Sequence, residues 1–465
     1  MEAEHTDVVV IGLGVGGEEA AGKLAEAGLH VTGIEAKLVG GECPYWACIP
    51  SKMMIRAANL ITETRRVPGM AGVASVTPDW EPVALRIRQE ATDYWNDKVA
   101  VDRFTGKGGH FVRGRAVITA PGEVTVTAED GATQVFRARR GILIATGTDP
   151  AVPPIPGLAG TPYWTNREAA ETEQVPESLI VLGGGPVGAE LSQVFARFGA
   201  RVTVIEAAPR LLPAAEPEAG RLLASVFARE GIEVRTGTRA GKVSHDGNQF
   251  TVDLETGAGD TDGTITARQL LVATGRRTGL AALGVAAAGL DGNARTIHVD
   301  ERMRAAESVW AIGDITGVSA HTHMAMYQAG IAVRDILGAG GPAADYRALP
   351  AVTFTDPEIG SVGLTEAQAR DRGLNIRTGI TQIPSSARGW IHKAGNDGFI
   401  KLIEDTGRNV LVGATSAGPA GGEVLGTLVL AIHAEVPIPA LRTMIYAYPT
   451  FHRAIEDALR NLEAE

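Results

Sequence analysis

The cysteines of this chain, Cys43 and Cys48, are separated by four residues in a short segment that also carries glycine and proline. Pro50 follows them, and proline fits the first turn of a helix because its missing N–H group costs nothing there. Cys48 would then lie at the positive end of a helix dipole. That position lowers a thiol pKa from about 8.5 toward roughly 3.5–7.5 and favours the thiolate. We therefore predict a pair that cycles between two thiols and a disulfide.

Two other uses of the cysteines are structural burial and half of a zinc site. Zinc needs further ligands, and no Cys or His elsewhere in the sequence has the spacing to complete a site. His321 and His323 form a close pair, but no third ligand accompanies them. Redox use is the favoured interpretation, and we predict no bound metal.

An internal repeat predicts the elements that position this chemistry. Residues 8–36 align without a gap to residues 179–207, and each copy reads as strand, G-x-G-x-x-G turn, helix and second strand, ending in Glu35 or Glu206. Such glycines permit a tight turn and close approach of the backbone to a pyrophosphate, and the carboxylate accepts hydrogen bonds from ribose hydroxyls. Two copies predict two bound dinucleotides. The glycines are Gly12, Gly14, Gly17, Gly183, Gly185 and Gly188.

Further turns follow apolar strands, at positions where the chain would leave a nucleotide-binding sheet. Two strands end in Ala-Thr-Gly, and a third is followed by Gly-Asp. Proline-rich segments at 149–156 and 342–350 predict a linker and a boundary. The turn residues of interest are Thr146, Gly147, Gly275, Gly313 and Asp314.

The last part of the chain lacks nucleotide-binding motifs. The pattern predicts strands at 352–355, 399–403 and 410–414 and helices at 425–434 and 451–462. This alternation indicates an α+β domain.

The composition excludes several classes of protein. The 465 residues carry a net charge of -11, so binding to nucleic acid is not expected. No apolar stretch is long enough to cross a bilayer, and the nearest, 425–432, is too short. Residues 1–7 are acidic and lack the features of a signal peptide. Together with the cysteine usage, this predicts a cytoplasmic enzyme.

These motifs resemble those of the FAD-dependent pyridine nucleotide–disulfide oxidoreductases, which include dihydrolipoamide dehydrogenase, glutathione reductase and mercuric reductase. The resemblance covers essentially the whole chain, including the run Gly-Gly-x-Cys-x4-Cys-Ile-Pro-Ser-Lys at 40–52. It implies an α/β fold with two Rossmann-like dinucleotide-binding domains, for FAD and NAD, and a C-terminal α+β interface domain, working as a homodimer. The implied divisions are 1–150 and 280–345 for the FAD domain, 151–279 for the NAD domain and 346–465 for the interface domain.

The resemblance also implies roles for single residues. Gly12, Gly14, Gly17 and Glu35 would bind the adenosine half of FAD, and Asp314 the ribityl chain. Cys48 would be the flavin-facing charge-transfer thiolate and Cys43 the outward, interchange thiol. Thr146, Gly147, Gly313 and Gly275 are expected among the cofactor contacts.

Lys52 would lie near the flavin N5, paired with Glu190. The alternatives are a solvated helix lysine and a glutamate that caps a helix N-terminus. Glu206 would meet the 2′-phosphate of NADPH with like charge, so NADH is expected to be preferred. Arg201 and Arg210 lie close enough in sequence to soften that preference.

Two departures from the family pattern narrow the function. Tyr45 and Trp46 make the segment between the cysteines bulky, and packing is the favoured interpretation over an acceptor pocket. Thiol-handling members carry a His-Pro-Thr sequence with a following Glu near the C-terminus. Here Tyr448 occupies the His position and Arg453 the Glu position. A positioned base contributes about 10²–10⁴ in rate, so its absence argues against efficient thiol chemistry.

Neighbouring residues do not restore the family pattern. Mercuric reductases also carry tyrosine at this position but add a C-terminal cysteine pair, and this chain has no third cysteine. His452 is interpreted as a solvated helix residue rather than as a displaced base.

We therefore predict a flavoprotein oxidoreductase that passes electrons from NADH through FAD to Cys43 and Cys48, and on to a small-molecule acceptor: a disulfide, a quinone or a metal ion. We also predict a catalytic role for Tyr448. Three alternatives stay open: a dihydrolipoamide dehydrogenase with a rearranged base, a flavin-only diaphorase or quinone reductase, and a redox sensor that binds both cofactors without turnover.

Overall fold

The computed structural model describes residues 3–256 and 261–462. Its strands are β1 (Glu4–Ile11), β2 (Val31–Glu35), β3 (His110–Arg113), β4 (Arg115–Ala120), β5 (Glu123–Thr127), β6 (Thr133–Ile144), β7 (Asp149–Pro150), β8 (Ser178–Leu182), β9 (Arg201–Glu206), β10 (Glu233–Thr236), β11 (Thr238–His245), β12 (Phe250–Thr256), β13 (Thr261–Ala267), β14 (Gln269–Val272), β15 (Arg276–Arg277), β16 (Arg304–Ala306), β17 (Val309–Ala311), β18 (Pro350–Thr353), β19 (Glu358–Gly363), β20 (Ile376–Gln382), β21 (Phe399–Asp405) and β22 (Val410–Gly418).

The α-helices alternate with these strands through most of the chain. They are α1 (Val15–Glu26), α2 (Glu42–Tyr45), α3 (Cys48–Arg66), α4 (Glu81–Arg86), α5 (Lys98–Gly106), α6 (Asn166–Glu171), α7 (Pro186–Arg197), α8 (Pro217–Arg229), α9 (Leu280–Leu283), α10 (Thr322–Leu337), α11 (Glu366–Asp371), α12 (Ala387–His392), α13 (Gly421–His433), α14 (Ile438–Thr443) and α15 (Ala454–Asn461). A π-helical turn (Ile87–Ala91) and 3₁₀ turns (Val285–Ala288, Gly313–Thr316 and Ile383–Ser385) complete the set.

The chain divides into two compact units. Unit 1 contains the described residues of 1–50, 84–151 and 275–345, and unit 2 contains those of 51–83, 152–274 and 346–465.

Unit 1 is built on a largely parallel sheet with the strand order β16-β17-β6-β1-β2-β3, extended by the antiparallel strands β4 and β5. β1 pairs in parallel with both β2 and β6. Its apolar run, Val8–Val9–Val10, is fully buried, as expected for a parallel strand covered on both faces. Helix α1 follows β1 and packs against α10, so closely that a Cβ at Gly16 would lie 2.9 Å from the Cβ of Ala325.

Unit 2 contains a second parallel sheet, β10-β9-β8-β14, a three-stranded antiparallel sheet, β11-β12-β13, and a five-stranded antiparallel sheet, β18-β19-β22-β21-β20. The five-stranded sheet packs against α13 and α15, and Ile400, Leu402, Leu428 and Leu459 are buried together in the core between them. Two parallel sheets and one antiparallel α+β part agree with the predicted α/β class.

Most predicted elements form with small changes at their ends. β8 forms at the start of the second repeat copy, and β2 and β9 end at Glu35 and Glu206 as expected. The C-terminal helix begins at Ala454 rather than at Phe451. The N–H groups of residues 454, 455 and 456 each bond to a carbonyl three residues earlier, which is the tighter 3₁₀ pattern. The predicted linker at 149–156 also begins with the short strand β7, which pairs with β15.

Candidate active site

The first G-x-G-x-x-G turn joins β1 to α1. Gly12 has φ +90°, and a Cβ there would lie 2.5 Å from the carbonyl oxygen of Ala145. A Cβ at Gly17 would lie 2.0 Å from the Gly12 carbonyl oxygen. Gly14, the N-cap of α1, is different, because its Cβ would meet nothing closer than Gly41 Cα at 3.9 Å. Gly12 and Gly17 are therefore required by the packing of the chain, whereas Gly14 leaves room at the helix N-terminus.

The second turn, between β8 and α7, repeats this division of roles. Gly183 has φ +106° with its Cβ position 2.4 Å from Ala273 O, and a Cβ at Gly188 would lie 1.9 Å from Gly183 O. A Cβ at Gly185, the N-cap of α7, would have no atom within 4 Å. Each turn thus has a glycine at the helix N-cap with open space where a Cβ would stand. This fits a dinucleotide pyrophosphate bound by backbone N–H groups.

The two terminal carboxylates are held in the same way. Glu35 accepts hydrogen bonds from the N–H groups of Leu13 and Lys37, both at 2.8 Å. Glu206 accepts them from Gly184 at 2.5 Å and Ala208 at 2.6 Å. Burial raises the pKa of Glu35, and the backbone hydrogen bonds act against that rise. A carboxylate accepts about four hydrogen bonds, so each keeps capacity for ribose hydroxyls.

The first Ala-Thr-Gly segment lies directly behind the first glycine turn. A Cβ at Gly12 would also approach the Cα of Thr146 to 2.9 Å. Gly147 follows with φ +62°. Gly275, from the second such segment, belongs to unit 1, where its carbonyl accepts the N–H of Ala151 at 2.9 Å.

Asp314 is held by two residues that the sequence analysis did not identify. Thr148 donates its hydroxyl to Asp314 Oδ2 at 2.8 Å, and Arg276 approaches the same oxygen at 3.7 Å. Arg276 also donates to the hydroxyl and carbonyl oxygens of Thr148, at 2.6 and 2.5 Å. The N–H of Gly313 is bound by the buried Gln328 side chain at 2.7 Å. No local pattern signals these contacts, since Thr148 and Arg276 lie 128 positions apart.

The cysteines lie at the starts of two helices. Cys43 is in the single turn of α2, and Cys48 is the first residue of the 19-residue helix α3, as expected from Pro50. The Cys48 sulfur lies 3.3 Å from the hydroxyl of Thr322, the first residue of α10. Cys48 is therefore near two positive helix termini, both of which favour negative charge on sulfur. Both cysteines are partly buried.

Tyr45, between the cysteines, serves to pack the loop. It is buried, and a Cβ at Gly40 would contact its ring at 3.4 Å. Burial raises the pKa of the phenol, with Asp97 as the next cause. Its ring centroid lies 5.8 Å from that of Trp46. For Tyr45 the packing interpretation therefore fits better than an acceptor pocket.

Lys52 and Glu190 form an ion pair within unit 2, with Nζ and Oε2 2.9 Å apart. Glu190 lies inside α7 and is buried, which does not fit the alternative of an N-terminal cap. Its other oxygen accepts the N–H of Phe354 at 2.8 Å, and the Phe354 ring centroid lies 4.5 Å from Lys52 Nζ. No sequence motif identifies Phe354 as a residue of this site.

The C-terminal segment contains no His–carboxylate pair at the positions where thiol-handling relatives carry one. Tyr448 is 70% exposed, and the Arg453 guanidinium lies 5.5 Å from its ring centroid. Arg453 pairs with Glu456 at 3.1 Å. The His452 ring lies 5.9 Å from the ring of Tyr446, a buried phenol whose pKa burial raises to about 12.

The His321 and His323 rings stack with centroids 5.1 Å apart, and His321 Nδ1 lies 2.5 Å from the Ser319 hydroxyl. Within the described residues, no three His, Cys, Asp or Glu side chains form a group that could hold a metal ion.

Comparison with known proteins agrees with this geometry. The family model described as pyridine nucleotide-disulphide oxidoreductase matches residues 6–329, and the model of its dimerisation domain matches residues 349–459. The chain belongs to this family. Members bind FAD and NAD(P)H, which confirms the predicted cofactors. The family models and the structural neighbours described below confirm the α/β fold class. Among residues 3–256 and 261–462, no helix has the length and apolar character needed to cross a membrane.

Individual relatives fall into several activities. Mercuric reductase of Acidithiobacillus ferrooxidans is 35% identical over 97% of this chain and 81% of its own. Dihydrolipoyl dehydrogenase of Thermus scotoductus is 33% identical over 99% and 98%. Among solved structures, the Cu(II) complex of the HOCl-induced flavoprotein disulfide reductase RclA from Escherichia coli has a TM-score of 0.85, with 26% identity over 99% of both chains. LpdA from Mycobacterium tuberculosis has a TM-score of 0.85, with 27% identity over 98% and 99%.

Proposed function

We propose that this chain is an NADH-dependent flavoprotein reductase in which Cys43 and Cys48 carry electrons from the flavin to a small acceptor. The observation that supports it most is the position of Cys48, at the start of α3 and beside the start of α10, in the unit that carries the first fingerprint. Bound FAD would supply the two-electron chemistry that connects oxidation of the nicotinamide to reduction of the disulfide. Cys48 would carry the thiolate next to the flavin, favoured by the N-termini of α3 and α10, and Cys43 would attack or bind the acceptor.

The division of labour follows the two fingerprints. Residues 1–150 and 280–345 bind FAD, with Glu35 on the ribose and Asp314 on the ribityl chain. Residues 151–279 bind the nicotinamide nucleotide through the second fingerprint. Residues 346–465 form the interface of a homodimer. The use of Cys43 and Cys48 as a redox pair supports a cytoplasmic enzyme.

The preference for NADH rests on Glu206. Its carboxylate is fixed by two short backbone hydrogen bonds, and it would meet the 2′-phosphate of NADPH. Arg210 is not oriented to neutralise that phosphate, because it donates to the carbonyls of Pro213 and Ala215, both at 2.8 Å. Like charges in such contact cost several kcal/mol.

The acceptor is one that needs electrons more than proton abstraction. Tyr448 replaces the histidine base, and a tyrosine hydroxyl is a poorer general base than an imidazole at neutral pH. Arg453 offers the wrong charge to orient an imidazolium. Mercuric reductases among the relatives, and the Cu(II) complex of RclA, favour a soft metal ion over a quinone or an unusual disulfide.

A dihydrolipoamide dehydrogenase is the second candidate. Its support is the dihydrolipoyl dehydrogenase of Thermus scotoductus, which aligns over 98% of its own length. Tyr448 and Arg453 count against it.

The test is steady-state NADH oxidation with Cu(II), Hg(II), a quinone, lipoamide and glutathione disulfide. We expect turnover with at least one metal ion and its loss in Cys43→Ser, because the outer thiol reaches the acceptor. Fast lipoamide turnover favours the dehydrogenase. Metal or quinone turnover unaffected in Cys43→Ser indicates a flavin-only reductase. A protein that binds both cofactors but turns over with none of these acceptors is a sensor.

The homodimer is supported by the dimerisation-domain match and by apolar exposure around the C-terminal segment. Ile445 is 96% exposed and Tyr448 70% exposed. We propose that residues 446–453 complete the acceptor site of the second copy. Sedimentation that shows an active monomer contradicts this assignment.

A further inference from the structure

A buried polar face of α7 supports the Lys52–Glu190 pair. Glu190, Gln193 and Arg197 are spaced three and four residues apart, so they share one face of the helix. They are 6%, 3% and 2% exposed. Buried polar groups of this kind need complete hydrogen bonding. Much of that bonding comes from a single segment, residues 354–356, between β18 and β19.

Asp356 fixes the register of this segment on α7. Its N–H donates to Gln193 Oε1 at 2.7 Å, and its carbonyl accepts from Gln193 Nε2 at 2.9 Å. Its carboxylate pairs with Arg197 at 2.8 Å and with Arg66 of α3 at 2.7 Å. Because the bonds to Gln193 run in both directions, sliding the segment along the helix would break both of them.

Phe354 lies two residues before Asp356, so the bonds between Asp356 and α7 also hold Phe354 against the Lys52–Glu190 ion pair. Its N–H donates to Glu190 Oε1 at 2.8 Å, while Lys52 binds Oε2 of the same carboxylate at 2.9 Å. The Lys52 ammonium lies over the face of the Phe354 ring, with Nζ 4.5 Å from the ring centroid. A cation at this distance is attracted by the ring quadrupole. One residue therefore orients the carboxylate through its backbone and the ammonium through its ring.

We propose that Phe354 is a positioning residue that sets the location of the Lys52 ammonium. The inference rests on the proposed function and on the location near the flavin N5 that the family resemblance implies for Lys52. A fixed cation stabilises the added negative charge of a reduced flavin. Without the ring, the ammonium, on a side chain that is 37% exposed, is free to turn toward water. Loss of the ring then makes the flavin harder to reduce, without removing any group proposed to react.

The test compares Phe354→Leu with Phe354→Tyr in the FAD-loaded protein. Leucine keeps the backbone N–H and the apolar bulk but removes the ring, whereas tyrosine keeps the ring. The readout is the flavin midpoint potential, measured by equilibration with a redox dye. We expect Phe354→Leu to shift the reduction equilibrium about threefold to tenfold toward oxidised flavin, roughly 15–30 mV for a two-electron couple. Phe354→Tyr should stay within about twofold of wild type.

Lys52→Met and Glu190→Gln distinguish the two levels of the argument. If both shift the potential and Phe354→Leu does not, the role of Phe354 is wrong and the proposed function stands. If none of the three shifts it, the location of Lys52 beside the flavin is wrong. An equal shift in Phe354→Leu and Phe354→Tyr also overturns the role of the ring. Should Phe354→Leu fail to fold, Phe354→Met, which also lacks a ring, is measured in its place.

Discussion

Replacing Gly185 with alanine separates nucleotide binding from folding. The φ and ψ angles of Gly185 are −74° and −176°, which alanine adopts without strain. A methyl there meets no atom of the chain within 4 Å. Alanine is a poorer N-cap than glycine, at a cost of up to about 1 kcal/mol. It also lowers the conformational entropy of the unfolded chain, which stabilises the folded protein by about 0.4–1 kcal/mol. The free energy of unfolding should therefore change by less than about 1 kcal/mol.

Binding should respond very differently. The added methyl would occupy the open space at the N-cap of α7, and we expect it to keep a pyrophosphate from reaching the backbone N–H groups there. Loss of one or two hydrogen bonds to a charged group costs about 3 kcal/mol. That loss corresponds to roughly a hundredfold weaker binding of NADH. FAD content should stay at the wild-type level, because the first fingerprint is unchanged.

Gly188→Ala is the matched control from the same turn. Its methyl would lie 1.9 Å from the carbonyl oxygen of Gly183, so the helix must shift. Overpacking of this kind costs about 1–3 kcal/mol or more. The assays are equilibrium titration with NADH and thermal unfolding. Gly188→Ala should lose both binding and stability. A folded Gly185→Ala variant that binds NADH within about threefold of wild type would refute the assignment of the second fingerprint.

Three further predictions concern specificity, stability and the acceptor. The kcat/KM for NADH should exceed that for NADPH at least about tenfold, and Glu206→Gln should narrow the ratio; equal wild-type values contradict the like-charge argument. Lys401→Met should cost about 3–5 kcal/mol at pH 7, because the buried ammonium binds three carboxylates, Glu366 among them at 2.7 Å. Hydrogen bonding to Lys401 lowers the pKa of Glu366, so this stabilisation is present above the unfolded pKa and lost as pH falls through the folded one. Chemical denaturation should therefore show the loss shrinking as pH falls below about 4.5, the ordinary pKa of a glutamate, and a loss that stays constant there would contradict it. Lipoamide should turn over slowly in wild type and in Tyr448→His alone, with Tyr448→His/Arg453→Glu as the comparison; wild-type rates of order 10²–10³ per second would establish the dehydrogenase alternative.

The sequence was sufficient to predict the elements whose signals are local. The two fingerprints combine an apolar strand, spaced glycines and a terminal carboxylate within about 30 residues, and β8 forms as the first strand of the second copy, as that pattern predicts. Pro50 similarly predicts the start of α3, which begins at Cys48. Each of these features depends on neighbours in sequence.

Contacts between distant segments had no such signal. Phe354 and Glu190 are 164 residues apart, and Lys401 and Glu216 are 185 apart. Neither Phe354 nor Lys401 differs in its local pattern from an ordinary residue at the end or in the middle of a strand. Their roles follow only from hydrogen bonds between distant segments, which join Phe354 to α7 and Lys401 to carboxylates at the starts of α8 and α11. Sequence patterns constrain that packing weakly, because many side chains satisfy the same apolar periodicity.

Anaerobic titration of the FAD-loaded protein with NADH shows whether electrons reach the cysteine pair through the flavin. We expect a long-wavelength charge-transfer band after two electrons per subunit, from the Cys48 thiolate to oxidised flavin, together with two newly titratable thiols. Cys48→Ser should lack the band, and Cys43→Ser should show it before any reductant is added. If neither substitution changes the spectrum, and NADH releases no thiols, the cysteine pair is not part of the electron path.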